Sequence, residues 1–194
     1  MRNGWSGFLP SVVICLWLVI TASLGWTQGQ AESLSPEAQD AVPRLDAQDS
    51  YTRQHAFLQL EALREPATAP LIRERLSSRD ARTRAFSARA LAAIQGVTAV
   101  PDLLARLKQD RSPEVRVAAL LALEPFQDQH PDILPAFLGS LRDRRREVRI
   151  AAVDIVSRID QPEAREAIRT RWRRERDRDV LRVLELAMKR LAEE

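Results

Sequence analysis

From Ser50 to Leu191 the apolar positions recur in blocks, and each block splits into two short runs at helical spacing. In the run after Pro113, residues Val115, Ala118, Ala119, Ala122 and Leu123 share one helical face. Ser112 is placed to act as its N-cap. Pro113 follows at the first helical position, and Glu114 puts a carboxylate in the first turn, where the helix dipole favours it. Asp160, Pro162 and Glu163 form a second start signal of this kind. Helices of about ten residues are marginal alone in water. They are expected to persist here because each pair buries its apolar face against the next.

The blocks repeat. One reads Ala99-Val100-Pro101-Asp102-Leu103-Leu104-Ala105-Arg106-Leu107, then Asp110, then Val115-Arg116-Val117-Ala118-Ala119. The next runs from Ile133-Leu134-Pro135-Ala136-Phe137-Leu138 to Asp143 and Val148-Arg149-Ile150-Ala151-Ala152. An earlier one has Ala69-Pro70-Leu71-Ile72, Asp80, Arg84 and Ala90-Leu91. Arg53, Arg84, Arg116 and Arg149 step by 31, 32 and 33 residues, and Pro70, Pro101 and Pro135 by 31 and 34. A fixed period of this length marks a solenoid. The Trp-Gly-Tyr offsets of TPR repeats and the Thr-Pro-Leu-His of ankyrin repeats are not found.

The proline, spaced leucines, Asp and Val-Arg-x-Ala-Ala helix resemble the HEAT-repeat family, in its short form named after phycobilisome lyases. The resemblance implies an all-α fold, a right-handed α-solenoid of stacked antiparallel helix pairs, about four to five units over residues 50–194. The first unit reads as a single second-type helix near Tyr51–Leu63. The last departs from the pattern, with Leu181 in place of Arg and Glu166 in place of Pro, as a capping unit does. The resemblance also implies a ladder between units, with Asp80, Asp110 and Asp143 as acceptors and Arg84, Arg116 and Arg149 as donors. An Arg fork suits that role because it bonds carboxylates and carbonyls in fixed geometry.

The N-terminus has a different pattern. Met1 and Arg2 precede an apolar run that begins at Val12 and reaches Leu24, and Gly29-Gln30-Ala31 offers small residues for cleavage. Residues 1–31 are therefore expected to be a secretory signal peptide, which places the mature chain in the periplasm or otherwise outside the cytoplasm. The alternative is an uncleaved inner-membrane anchor, since residues 8–24 lie at the short edge of a membrane span. Cleavage would remove Cys15, the one cysteine, leaving no disulfide and no thiol. Residues 32–49, polar and carrying Pro36 and Pro43, read as a linker with one helical turn after Ser35-Pro36-Glu37.

Charge adds a candidate surface. The chain has 30 basic and 27 acidic residues, and the only lysines are Lys108 and Lys189. Arginines crowd the C-terminal half, where Arg144, Arg145, Arg146, Arg173 and Arg174 are candidates for binding anions, including an anionic membrane surface or polysaccharide. Interleaved Glu147, Glu166, Glu175, Asp177 and Asp179 allow a local-pairing alternative. Nucleic acid is not expected, because the chain is expected to be exported and Trp172, flanked by Arg171 and Arg173, is read as core rather than as a stacking platform. Trp172 aligns with Leu107 and Leu141 and is expected in the core.

A protein or peptide partner is expected in the groove lined by second helices. Unit alignment gives three rows there: Gln54, Ala85, Val117, Ile150, Arg182; Phe57, Ala88, Leu120, Val153, Glu185; and Leu58, Arg89, Leu121, Asp154, Leu186. The candidate contacts are Val117, Leu120, Leu121, Ile150, Val153 and Asp154. The competing reading is that Val117, Leu120, Ile150 and Val153 are core. Catalytic chemistry is not expected. His55 and His130 stand in no metal-binding spacing, and no Gly-rich phosphate loop or Gly-x-Ser-x-Gly elbow occurs. No cofactor or metal is expected. The reading is thus an exported, non-enzymatic scaffold for protein interaction. Its alternatives are an accessory subunit of a lyase-type enzyme, against which export argues, and an anion binder.

Overall fold

The computed structural model describes residues 34–193, with the side chains of residues 34–192. These residues form one compact unit, and no strand occurs among them. The expected signal segment, residues 1–31, lies outside the described residues.

Five helix pairs follow one another. They are α1 (Pro36–Ala41) with α2 (Ser50–Leu63), α3 (Ala69–Arg75) with α4 (Ala81–Gln95), α5 (Val100–Gln109) with α6 (Pro113–Leu123), α7 (Ile133–Ser140) with α8 (Arg146–Val156), and α9 (Pro162–Arg174) with α10 (Arg178–Glu193). Each first helix packs on the second helix of its pair, and successive second helices pack on one another from α2 to α10. The first helices touch their neighbours far less. The stack is thus tightest on the second-helix side, which makes that side the inner face of a curved array.

One apolar core runs the length of the stack. Ile72, Leu91, Leu103, Leu123, Ile133, Phe137, Ile155 and Ile168 are fully or almost fully buried. Each such side chain contributes roughly 1.5–3 kcal/mol on burial. Phe57 and the half-buried Phe86 meet with ring centroids 5.9 Å apart, tying unit one to unit two.

The stretch read as a polar linker is folded. Ser35 Oγ caps α1 by accepting from the Ala38 amide at 3.2 Å, a 3-10 turn over Val42–Asp46 follows, and Ala38, Ala41 and Leu45 are fully buried on α2. The first unit is accordingly a complete pair, not a single helix. Two salt bridges, Arg75 to Asp46 and Arg44 to Asp40, lie beside it.

Helix ends follow local chemistry, with two departures from expectation. Asp49 and Asp80 cap α2 and α4 by accepting the amides of Thr52 and Thr83 at 2.7 and 2.9 Å. Ser112 stands at the N-cap of α6, but its side chain makes no cap bond. Instead its own amide donates to Asp110 at 2.9 Å. At α9 the N-cap is Gln161, and Asp160 pairs with Arg165 instead. Gly96 ends α4 at φ +58°, which needs no strain from glycine. The stretch Ala81–Gln109 is long and apolar enough to cross a membrane, but Gly96 breaks it into α4 and α5, and its apolar residues line the core.

Candidate functional site

The recurring arginines build the frame that holds the inner face. Arg84 Nε and Nη2 each donate to Asp110 at 2.8 Å, while its Nη1 donates to the carbonyls of Ser78 and Arg79 in its own inter-helix turn. Arg116 repeats this, with Asp143 at 2.8 and 2.7 Å and the Asp110 carbonyl at 2.8 Å. Arg149 does the same with Glu175 at 2.9 and 3.4 Å and the Asp143 carbonyl at 3.0 Å. Each fork thereby pins one turn and the next unit together.

The rungs are electrostatically tight. Burial alone would raise the Asp110 carboxyl, but the Arg84 fork and the Ser112 amide outweigh it and hold it below the usual range. The hydrogen bond to Asp110 pushes Arg84 up in turn. Glu175 is also desolvated. The amides of Asp177 and Arg176 and the forks of Arg171 and Arg149 bring it down to about 2.

Asp80 accepts from Arg53 of the previous unit, but not from the position that Asp110 and Asp143 hold. The acceptors Asp110 and Asp143 stand six residues before their own unit's Arg, as Glu175 does before Leu181. Ser78 holds that place before Arg84. The side chains confirm the equivalence: Ser78 Oγ accepts the Asp80 amide at 3.2 Å, as Asp110, Asp143 and Glu175 accept the amides two residues on at 2.9, 2.8 and 2.9 Å. Arg53 therefore finds no carboxylate in the ladder position. Its Nη2 reaches Asp80 at 3.3 Å, and its buried Nε has no partner.

The exposed inner face is narrower than the three rows placed on it. Leu120 and Val153 are fully buried, as are Phe57 and Ala88 or nearly so, because the second helices pack directly on one another there. Those two candidate contacts are core. Val117 and Ile150 are half-buried against the core. The third row is the one that faces out: Leu58 is 42% exposed, Leu121 49% and Leu186 54%. Between them stand Arg89, 3.4 Å from Glu61, and Asp154, 3.3 Å from Arg158. Leu121 and Arg89 line a shallow cavity of about 400 Å³ with Ala92, Ala93, Pro125 and Phe126. None of these four was anticipated. Ala92 and Ala93 lie in the last turns of α4, and Pro125 and Phe126 follow the end of α6, where periodicity carries no signal.

The candidate anion residues divide. Arg145 and Arg146 stand 3.5 and 3.6 Å from Glu147, and Arg146 bonds Asp179 at 3.1 Å. Arg173 is 3.9 Å from Glu166. Arg144 and Arg174 are exposed and have no side-chain partner among the described residues. Arg174 rims a cavity of about 690 Å³ between α7 and α9, whose lining includes Leu138, Leu141 and Ala167. Trp172, expected in the core, is 37% exposed. His55 is exposed on α2, and His130 accepts the Asp132 amide at 3.3 Å in a turn. Among the described residues no group of three or more His, Cys, Asp or Glu is placed to hold a metal.

Stacked helix pairs joined by an Arg–carboxylate ladder define an α-solenoid with an open inner face. The model of HEAT repeats matches residues 38–124 and 100–189, and the chain belongs to the HEAT-repeat family. No curated protein matches it in sequence. Among solved structures it is similar to the complex of CpcE and CpcF of phycocyanin lyase from Nostoc sp. PCC7120. The TM-score is 0.61 at 23% identity, over 78% of this chain and 97% of that one. The expectation that this chain is not an enzyme is corrected by that likeness, because the same helix stack occurs within a lyase complex.

Proposed function

We propose that this chain is the protein-holding HEAT subunit of a lyase-type assembly. The observation that carries it is the row Leu58, Arg89, Leu121, Asp154, Leu186, which runs across all five second helices with its leucines exposed, beside a row that is buried in the first four. Apolar residues alternating with one positive and one negative side chain form a surface that another protein can cover. The likeness to the phycocyanin lyase complex, over nearly all of that chain, supports the lyase assignment. In this reading the solenoid contributes positioning, and the ladder keeps the row rigid while the partner is held.

Export is a separate proposal about the compartment, and a cleaved chain outside the cytoplasm favours the protein-holding role over the lyase one. Residues 1–31 act as a secretory signal, and cleavage after Ala31 would leave the whole described array intact, since it begins at Leu34. A mature N-terminus at Glu32, found by mass spectrometry of the native protein, is the expected result. An intact Met1 end contradicts it.

The functional test is affinity purification of the chain from its own cells, with mass spectrometry and visible absorbance of the eluted complex. The reading expects one stoichiometric protein partner. It expects that partner to be lost in the Leu58→Asp, Leu121→Asp, Leu186→Asp triple variant with little change in Tm, because all three side chains are exposed. A bound chromophore, or a covalently modified partner residue that depends on this chain, identifies the lyase role. A chain that elutes alone contradicts the proposal.

A further inference from the structure

A second surface lies along the edge where each first helix turns into its second. The residue directly after the ladder position is an arginine in four successive units: Arg79 after Ser78, Arg111 after Asp110, Arg144 after Asp143 and Arg176 after Glu175. They step by 32, 33 and 32 residues. All four are exposed. None has a side-chain hydrogen bond or ion pair among the described residues. Several nearby acidic groups are engaged elsewhere. Asp80 accepts from Thr83 and Arg53, Glu147 faces Arg145 and Arg146, Asp179 bonds Arg146, and Asp177 accepts the amides of Asp179 and Val180. The ladder carboxylates are consumed by the ladder arginines. The fold thus leaves these guanidinium groups unpaired at the same place in four successive units. Arg79 and Arg111 share a shallow depression of about 320 Å³, and Arg144 lines another of about 340 Å³.

We infer that this edge binds an extended acidic peptide segment carrying Asp or Glu at every third residue. The argument is the pitch. Packed helices lie about 8–10 Å apart, so equivalent residues of successive units repeat at about that spacing. A polyproline-II segment turns once every three residues and rises about 9.3 Å per turn. Every third side chain of such a segment therefore points the same way, in step with the arginines. Unfolded acidic segments populate this conformation, and each guanidinium offers a fork that matches a carboxylate. The edge is separate from the exposed leucine row of the inner face.

The test uses two synthetic 12-residue peptides of identical composition, one with Glu at every third position and one with the same glutamates clustered. Binding to the full chain is followed by fluorescence anisotropy at two salt concentrations, with vesicles of anionic phospholipid as a separate arm. The inference expects the periodic peptide to bind more tightly than its clustered isomer, and more weakly as salt rises. It expects a loss of roughly tenfold or more in the Arg79→Ser, Arg111→Ser, Arg144→Ser, Arg176→Ser variant, since these charges supply the attraction. Serine substitution of Arg64, Arg73, Arg169 and Arg190, all exposed and off this edge, should leave binding within about twofold, because charges beyond a Debye length are screened. Circular dichroism confirms that both variants fold. Equal binding of the two peptides, or binding that survives the four substitutions, overturns the inference. Vesicle binding without peptide binding overturns it in favour of a lipid surface.

Discussion

Arg84 shows what a single residue carries in this fold. Its guanidinium is buried, and it makes four hydrogen bonds, to two carbonyls of its own turn and one carboxylate of the next. Replacing it with methionine keeps the bulk but strands Asp110 in the interior. The expected cost is about 3 kcal/mol, read as a lower midpoint in urea denaturation. The reverse change is available at Ser78, where the ladder lacks a carboxylate and Arg53 Nε is left without a partner. Ser78→Asp should stabilise the chain by about 1 kcal/mol, or roughly 2–4 °C in Tm for a chain of this size. An unchanged or lower Tm would mean that the Arg53 fork is not aimed at position 78. Glu175 provides a pH signature. Its carboxyl falls from 4.5 to about 2 in the folded chain. A depressed carboxyl stabilises the fold above its unfolded value, and that contribution fades as pH falls through the folded one. Stability should therefore drop between pH 4.5 and about 2, with a shallower slope in Glu175→Gln.

At the scale of elements, the second helices were the most legible. Their Val-Arg-x-Ala-Ala runs repeat with the core face intact, and Val115, Ala119, Leu123, Val148 and Ala152 are fully buried. The ladder arginines were legible for the same reason, as strict landmarks in the period. Which row faces the partner was not. Leu120 and Leu121 are adjacent leucines with about 100° between them on a helix, and composition cannot say which one meets solvent. The answer depends on how closely the next helix packs, which is a tertiary fact. The first helix hid for a different reason. Residues Pro36–Ala41 are short and mostly polar, with two alanines as the apolar face, so no period emerges. Its burial gives a direct check. Ala41→Asp should lower Tm sharply, since an unpaired charge would enter a fully buried site, whereas in a linker it would be harmless.

Residues 34–193 form a one-dimensional stack in which each pair leans on its neighbours. Its second helices touch closely while its first helices touch far less. The array carries two kinds of surface: an inner row with alternating leucines, and a turn edge with an unpaired arginine at the same place in four units. The inner row carries the proposed function. It is tested most directly by photo-crosslinking in living cells from probes placed singly at Leu58, Leu121 and Leu186, with Pro101 on α5, exposed on a first helix, as control. The account predicts the same discrete protein adduct from all three inner positions and none from Pro101. Adducts from Pro101 alone, or no adduct from any inner position, would contradict it.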